Sequence, residues 1–161
     1  GAGSMMYVGL LGITLSRKYL HKPAPGILTP TVWIHLAPIS VIPVSLMNLL
    51  EQLPLPAARE VGIVLMLLLW GFGVWWLVMA SLLTLAARAA GQLPFALSWW
   101  GFTFPLGAFV AESIRLSALL AWDSVLFIGI AAWVLLCGLW LTTLSKTWRG
   151  VMSGAIFKAH P

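Results

Sequence analysis

The fourth apolar stretch of the chain contains the run Trp99-Trp100-Gly101-Phe102-Thr103-Phe104-Pro105-Leu106-Gly107. Pro105 therefore lies inside a segment that is long enough to cross a membrane. Its ring removes the backbone N–H that would bond the carbonyl of Gly101, and hydrocarbon offers no water to replace that partner. A broken helix of this kind is stable only against protein or along a water-filled path. The run therefore predicts an interrupted helix in the interior of a membrane protein.

Composition places the whole chain in the same class. Of its 161 residues, 61% are hydrophobic and 8% are charged, and the mean hydropathy is +1.00. A soluble domain of this size cannot present such a balance to water. The sequence predicts an all-α polytopic membrane protein whose partner is the lipid bilayer. The net charge of +5 comes from basic residues in the breaks between apolar stretches, which indicates membrane topology and not nucleic-acid binding.

Five membrane spans are predicted within one transmembrane domain that covers residues 1–161. They lie at about residues 2–20, 31–50, 61–87, 99–120 and 124–145, since a crossing needs about 20 apolar residues. The connectors are short and several of them are rich in proline, so neighbouring spans are expected to be antiparallel and joined as helical hairpins.

The distribution of basic residues sets the predicted orientation. One side of the membrane receives Arg17, Lys18, Lys22, Arg88, Lys146, Arg149 and Lys158, whereas the other receives Arg59 and Arg115. The positive-inside rule then places the C-terminus in the cytoplasm and the first residues outside the cell membrane. Because no signal peptide precedes the first span, we expect the chain to be a piece of a longer protein that lacks its N-terminal half.

Proline divides the predicted spans into two kinds. The second span contains Pro38 and Pro43 and the fourth contains Pro105, whereas the other three contain none. Broken helices need a protected interior, but straight helices can face lipid. The pattern predicts kinked inner helices that alternate with straight outer ones. Two kinked helices cannot enclose a conduit, so missing sequence or further copies of the chain are expected to complete it.

Side chains beside these breaks are candidates for lining residues. Phe104 directly precedes Pro105, whose ring disfavours helical backbone before it, and a large apolar ring at a constriction can gate by excluding water. Ordinary packing is the alternative for this ring. The second-span residues Ser40 and Ser45 either bond the carbonyls that proline leaves free or line a path as donors to an anion. Thr103 is a further candidate lining residue.

The ionisable residues within the spans are few. Glu112 and Arg115 lie three residues apart on one helical face, so we expect them to form a structural pair, with an anion-attracting Arg115 at an outer mouth as the alternative. His35 is expected to be a neutral hydrogen-bonding residue. Cys137 alone gives no disulfide or metal pattern. The sequence also lacks a catalytic constellation, so neither an enzyme nor a metal or other cofactor is predicted.

Two stretches resemble a known family. The run Trp99–Leu106, WWGFTFPL, resembles the penultimate helix of the tellurite-resistance/dicarboxylate transporter family, which includes the plant guard-cell slow anion channels. The run Pro30–Val41, PTVWIHLAPISV, is similar to the family's stretch in which a helix enters after a proline and reaches Ala-Pro followed by small residues. The resemblance covers essentially the whole chain, but only the second half of the family's fold.

The resemblance implies an architecture and a function. It implies ten helices in five hairpins around a central pore, with proline-kinked inner helices, cytoplasmic termini and a homotrimeric assembly. Phe104 would then be the pore-occluding phenylalanine, and Pro38, Pro43 and Pro105 would be kinks of inner helices. The implied activity is transport of small inorganic anions or C4-dicarboxylates, as a channel or as a carrier.

Two other functions compete with anion transport. A non-conducting assembly subunit would pack its helices around another membrane protein. A membrane-bound haem enzyme would need a second axial ligand at the depth of His35, and the predicted spans contain no such residue.

Overall fold

Five α-helices build the computed structural model, which describes residues 2–20 and 26–154. They are α1 (Ala2–Leu20), α2 (Leu36–Leu50), α3 (Pro56–Ala89), α4 (Thr103–Leu120) and α5 (Asp123–Met152). Two 3₁₀ helices, Gly26–His35 and Leu97–Phe102, lead directly into α2 and α4. No strand occurs in the described ranges. The predicted all-α class is confirmed.

In the described part of the chain, four segments are long and apolar enough to cross a membrane: Leu28–Leu50, Ala57–Ala89, Leu97–Leu120 and Asp123–Met152. They correspond to the second to fifth predicted spans, although α3 and α5 extend beyond the predicted ends. The first predicted span forms α1 but is not among these four, so a fifth crossing stays a prediction. Residues 21–25 and 155–161 lie outside the described residues, and with them Lys22 and Lys158 of the orientation argument.

The helices form an inner and an outer row. In the inner row α2 packs against α4, while α3 covers α2 and touches α4, and α5 covers α4. The most apolar windows of the two inner spans are 39% and 44% buried, against 22% and 17% for the outer ones. The predicted alternation of kinked inner and straight outer helices is therefore present, and each inner helix forms a hairpin with the outer helix that follows it.

The hairpin between α4 and α5 shows how tight these connections are. Only Ala121 and Trp122 separate the two helices. Ala121 adopts the left-handed backbone conformation, with φ at 53°, which is a common way to end a helix. The hydroxyl of Ser117 donates to the carbonyl of Trp122 at 3.1 Å. Because the turn is this short, α4 and α5 must run antiparallel along each other.

Aromatic and small residues join the two rows. The Nε1 of Trp76 donates to the carbonyl of Val32 at 2.9 Å, so the outer helix α3 is tied to the segment that leads into α2. A Cβ placed on Gly73 would lie 3.0 Å from the ring of Phe109. Glycine is thus what allows α3 and α4 to approach closely. The core between the rows consists of Trp33, Leu36, Ile39, Trp76, Ala80, Phe102, Leu106, Phe109, Val110 and Ala132.

Candidate functional site

One side of each inner helix is left uncovered by the described part of the chain. The buried residues of α2 and α4 lie toward α3 and α5 and in the contact between α2 and α4. The uncovered residues recur every three to seven positions, which places them along one side of each helix. We call them the inner surface; they are Ile34, Val41, Ser45 and Asn48 from the second span and Phe104, Ala111, Ile114 and Ala118 from the fourth.

Phe104 differs sharply from the two phenylalanines nearest to it in the chain. The side chain of Phe102 is 1% exposed and that of Phe109 is 0% exposed, whereas that of Phe104 is 71% exposed. Phe102 meets the ring of Trp33 edge-on, with 5.4 Å between the centroids. Phe104 lies on the inner surface, so it does not pack in the core between the rows. Its predicted role as a gate stays a prediction.

The predicted helix breaks take a specific form. Both α2 and α4 begin two residues before a proline, Pro38 and Pro105 respectively. A proline in the first turn of an α-helix removes no hydrogen bond from the helix interior. In the 3₁₀ turn before α4, each carbonyl can bond the N–H three residues on. The carbonyl of Gly101 therefore does not need a hydrogen bond from residue 105. The interruption of the fourth span is a change from 3₁₀ to α geometry.

The remaining proline lies deeper in its helix. Pro43 is inside α2 and is buried. It removes one hydrogen bond from the helix interior, because its ring nitrogen cannot donate to the carbonyl of Ile39. Pro43 therefore contributes a helix irregularity and does not lie on the inner surface.

The three candidate hydroxyls occupy three different environments. Ser45 is exposed on the inner surface, and Ser40 is fully buried. Thr103 is half-buried, and its Oγ1 donates to the carbonyl of Trp100 at 2.9 Å. Thr103 thus satisfies a carbonyl beside the 3₁₀ segment, a role that the sequence did not predict for it, and its predicted lining role stays a prediction. Of the three, Ser45 is the one on an exposed surface, whereas Ser40 is not, and the predicted lining role of Ser45 stays a prediction.

The expected pair between Glu112 and Arg115 is wrong. The Nη2 of Arg115 instead lies 2.7 Å from Oε2 of Glu51, at the end of α2. Glu112 is 0% exposed and takes no part in this ion pair, and Ser40 lies beside its carboxyl group. Spacing along one helix shows that two residues share a face, but it cannot reveal a carboxylate supplied by a neighbouring helix. Arg115 and Glu51 lie at the outer-side ends of the inner helices in the predicted orientation, and Glu112 lies inside the protein.

His35 lies in an aromatic environment. Its ring centroid is 4.9 Å from that of Trp76 and 5.9 Å from that of Tyr7, and the hydroxyl of Tyr7 donates to the backbone carbonyl of His35 at 3.2 Å. Within residues 2–20 and 26–154, no three histidine, cysteine, aspartate or glutamate side chains are grouped closely enough to hold a metal ion. His35 therefore packs against aromatic rings, and its expected role as a neutral hydrogen-bonding residue stays a prediction.

Sequence reasoning missed two features of the site. It did not consider Glu51 as a partner for Arg115, and it did not place Ser40 beside Glu112. For the first of these a signal exists in the sequence, because the two inner spans run in the same direction and Glu51 follows the end of the second span as Arg115 approaches the end of the fourth. Polar residues at similar depths of parallel neighbouring helices can be tested as cross-helix pairs.

The fold defines the class of the protein, a polytopic helical membrane protein. One side of each of its two inner helices, the inner surface, is not covered by the described part of the chain. The chain belongs to the SLAC1 family of voltage-dependent anion channels, whose family model matches residues 1–148. This finding confirms the resemblance drawn from the two proline-containing stretches.

Curated relatives agree with this assignment. The chain is 39% identical over 160 residues to an uncharacterized transporter of Methanocaldococcus jannaschii, covering 99% of this chain and 46% of the relative. A second uncharacterized transporter of that organism is 39% identical over 158 residues, covering 98% of this chain and 46% of the relative. A sulfite efflux pump of Arthroderma otae is 26% identical over 174 residues, covering 98% and 44%. No solved structure is significantly similar to the chain.

Two consequences follow from the comparisons. The family consists of channels, and these relatives are named as transporters or an efflux pump and not as enzymes, which confirms that the chain is not an enzyme. The chain also spans about half the length of the curated relatives that it matches.

Proposed function

We propose that the full-length protein transports small anions across the cell membrane through a central lumen, that the inner surface forms part of its wall, and that Phe104 occludes it. The observation that carries the proposal is the position of Phe104. A phenylalanine with 71% of its side chain exposed lies on a kinked inner helix between two phenylalanines that are fully packed. An apolar ring at a narrow point excludes water and so blocks ions.

The chemistry of the inner surface suits passage better than tight binding. All eight of its residues are uncharged, and Ser45 and Asn48 offer polar groups as donors to an anion. An ion that meets dipoles but no full positive charge is held weakly enough to leave again. Arg115 at the outer end is already paired with Glu51, so it offers an entering anion only a partly neutralised charge.

The rest of the lumen is proposed to come from outside this chain. Two inner helices cannot close a ring, and the chain spans about half of its curated relatives. We propose that it forms the second half of a ten-helix fold with a cytoplasmic C-terminus, that the other inner helices come from the first half, and that three copies assemble. The excess of Arg17, Arg88, Lys146 and Arg149 over Arg59 and Arg115 at the ends of the spans supports this orientation.

The substrate class follows from the neutral surface and the relatives. We propose small inorganic anions, with sulfite as a candidate because a relative is named a sulfite efflux pump. C4-dicarboxylates, which the family resemblance includes, are the second group to test. Their greater length makes passage more sensitive to the width of the lumen at Phe104.

Anion flux through the full-length protein in liposomes tests the proposal. Chloride, nitrate, sulfite and malate are offered in turn to the wild type, Phe104→Ala and Phe127→Ala. Phe127 is a matched control, since it is 70% exposed but lies on the outer helix α5. We expect flux to rise at least several-fold in Phe104→Ala and to stay at the wild-type level in Phe127→Ala. The same flux in all three proteins would overturn the gate, and no flux with any anion would favour the non-conducting assembly subunit.

A further inference from the structure

Glu112 is a carboxyl group enclosed in the membrane-spanning part of the protein. Its side chain is 0% exposed, and neither carboxyl oxygen has a hydrogen-bond partner with standard geometry. Further segments of a longer protein could only bury Glu112 more deeply, so the burial of Glu112 does not depend on those segments. The function proposed above makes no use of this group.

The side chain lies between the two inner helices. Glu112 is on α4, and the group beside its carboxyl is the hydroxyl of Ser40 on α2. Ser40 is also 0% exposed, and its Oγ has no hydrogen bond of standard geometry. The contact between α2 and α4 therefore encloses two polar groups that are close to each other and not fully satisfied.

Few charged groups surround this position. The spanning parts of three helices contain no charged residue: residues 36–50 of α2, 61–87 of α3 and 124–145 of α5. Within these ranges Cys137 is the one titratable side chain. His35 precedes α2 and lies between Tyr7 and Trp76. On α4 itself Arg115 is one turn away, and its guanidinium is engaged by Glu51. Glu112 thus has no counter-charge of its own among the described residues.

A carboxylate in this place is costly. An unpaired charge removed from water costs several kcal/mol, whereas a neutral carboxyl group costs much less. A neutral group can also donate its proton to the oxygen of Ser40, which gives each of the two groups a partner. Charging the group requires water, and water can reach it only if α2 and α4 separate locally.

We propose that Glu112 is a proton-binding site, and that loss of its proton loosens the contact between α2 and α4 and so makes anion conduction depend on pH. The second part rests on the proposed function, because the same two helices provide the inner surface. On deprotonation the proton passes from the carboxyl oxygen to water, and the carboxylate is then hydrated in the opened contact. Conduction therefore rises as the pH rises, since the charged group favours the separated helices.

Chloride flux through the full-length protein in liposomes tests the coupling, because chloride does not itself titrate between pH 5 and pH 9. The wild type is expected to conduct at least several-fold better at the alkaline end. Glu112→Gln cannot lose a proton, so its flux should stay at the acid level throughout. Glu60→Gln is the matched control, since Glu60 is exposed on α3, and it should keep the wild-type pH dependence. A pH dependence that survives in Glu112→Gln overturns the coupling.

Infrared difference spectra between acid and alkaline pH test the proton site without any flux. The spectra of the wild type and of Glu60→Gln should contain one C=O band of a protonated carboxyl group that the spectrum of Glu112→Gln lacks, while the bands of the other carboxyl groups remain. If the band is present but no anion passes, the proposed function fails while the proton site stands. If no protonated-carboxyl band appears in the wild type or in Glu60→Gln, the proton site is overturned. This negative result needs only these two proteins, so it can be obtained even if Glu112→Gln does not fold.

Discussion

Pro38 and Pro105 occupy equivalent places in the two inner helices. Each is the third residue of an α-helix, and each of these helices continues directly from a 3₁₀ segment. The two 3₁₀ segments pack against each other, and a Cβ on Gly101 would lie 3.3 Å from the carbonyl oxygen of Pro30. The two inner spans are therefore built in the same way, in keeping with the predicted alternation of kinked and straight helices.

This placement predicts that Pro38 is tolerant of substitution. In the first turn of α2 its missing N–H costs no helical bond, so Pro38→Ala should lower the free energy of unfolding by no more than ~1 kcal/mol. Val44→Pro, in the middle of the same helix, should cost ~3 kcal/mol or more. Thermal unfolding of both variants in detergent measures the difference. Equal destabilisation by the two substitutions would show that Pro38 is not in a first turn.

Helix packing at Gly129 gives a second prediction. A Cβ on Gly129 of α5 would lie 2.9 Å from the Cβ of Ser113 on α4. Ser113 cannot shift freely, because it accepts a hydrogen bond from Trp70 Nε1 and donates one to the carbonyl of Phe109. Gly129→Ala should therefore destabilise the protein by ~1–3 kcal/mol.

Gly138 is the matched control for that substitution. It lies on the same helix, and a Cβ there would meet nothing within 4 Å. Gly138→Ala should leave the stability unchanged or raise it by up to ~1 kcal/mol, because alanine favours helix more than glycine does. Melting temperatures in one detergent provide the comparison, and a Gly129→Ala protein as stable as Gly138→Ala would contradict the described packing of α4 on α5.

The ion pair at the ends of α2 and α4 predicts a small energetic coupling. The side chains of Arg115 and Glu51 are 31% and 35% exposed, and ion pairs with this degree of solvent access contribute ~1 kcal/mol or less. A double-mutant cycle of Arg115→Ala and Glu51→Ala should give a coupling in that range by thermal unfolding. The corresponding cycle with Glu112→Gln should give less. A larger coupling to Glu112 than to Glu51 would restore the pair expected from sequence spacing.

Much of the fold could be predicted because a bilayer imposes strict rules on a chain. The length of an apolar stretch fixes a crossing, and proline in such a stretch indicates an inner helix. These rules located the spans that contain Pro38 and Pro105 and separated them from the straight spans around Trp76 and Phe127. They did not require knowledge of any contact between helices.

The rest depends on contacts that one helix cannot reveal. Ser40 and Ser45 are both hydroxyl residues near a proline, but only their rotation about α2 decides that the first is buried and the second exposed. Likewise, Glu112 and Arg115 share a face in sequence, but Glu51 from α2 is the partner of the arginine. The exact form of the break at Pro105 also escaped prediction, because a 3₁₀ start and a mid-helix kink have the same sequence signal.

The exposure of Phe104 to an aqueous lumen is the central claim, and thiol accessibility tests it most directly. In the full-length protein with Cys137 replaced by alanine, Phe104→Cys and Phe127→Cys are treated in intact membranes with a charged thiol reagent that cannot enter lipid. The account predicts that the cysteine at position 104 is modified, because it faces water, and that the cysteine at position 127 is not, because it faces hydrocarbon. Modification at position 127 with none at position 104 would contradict it.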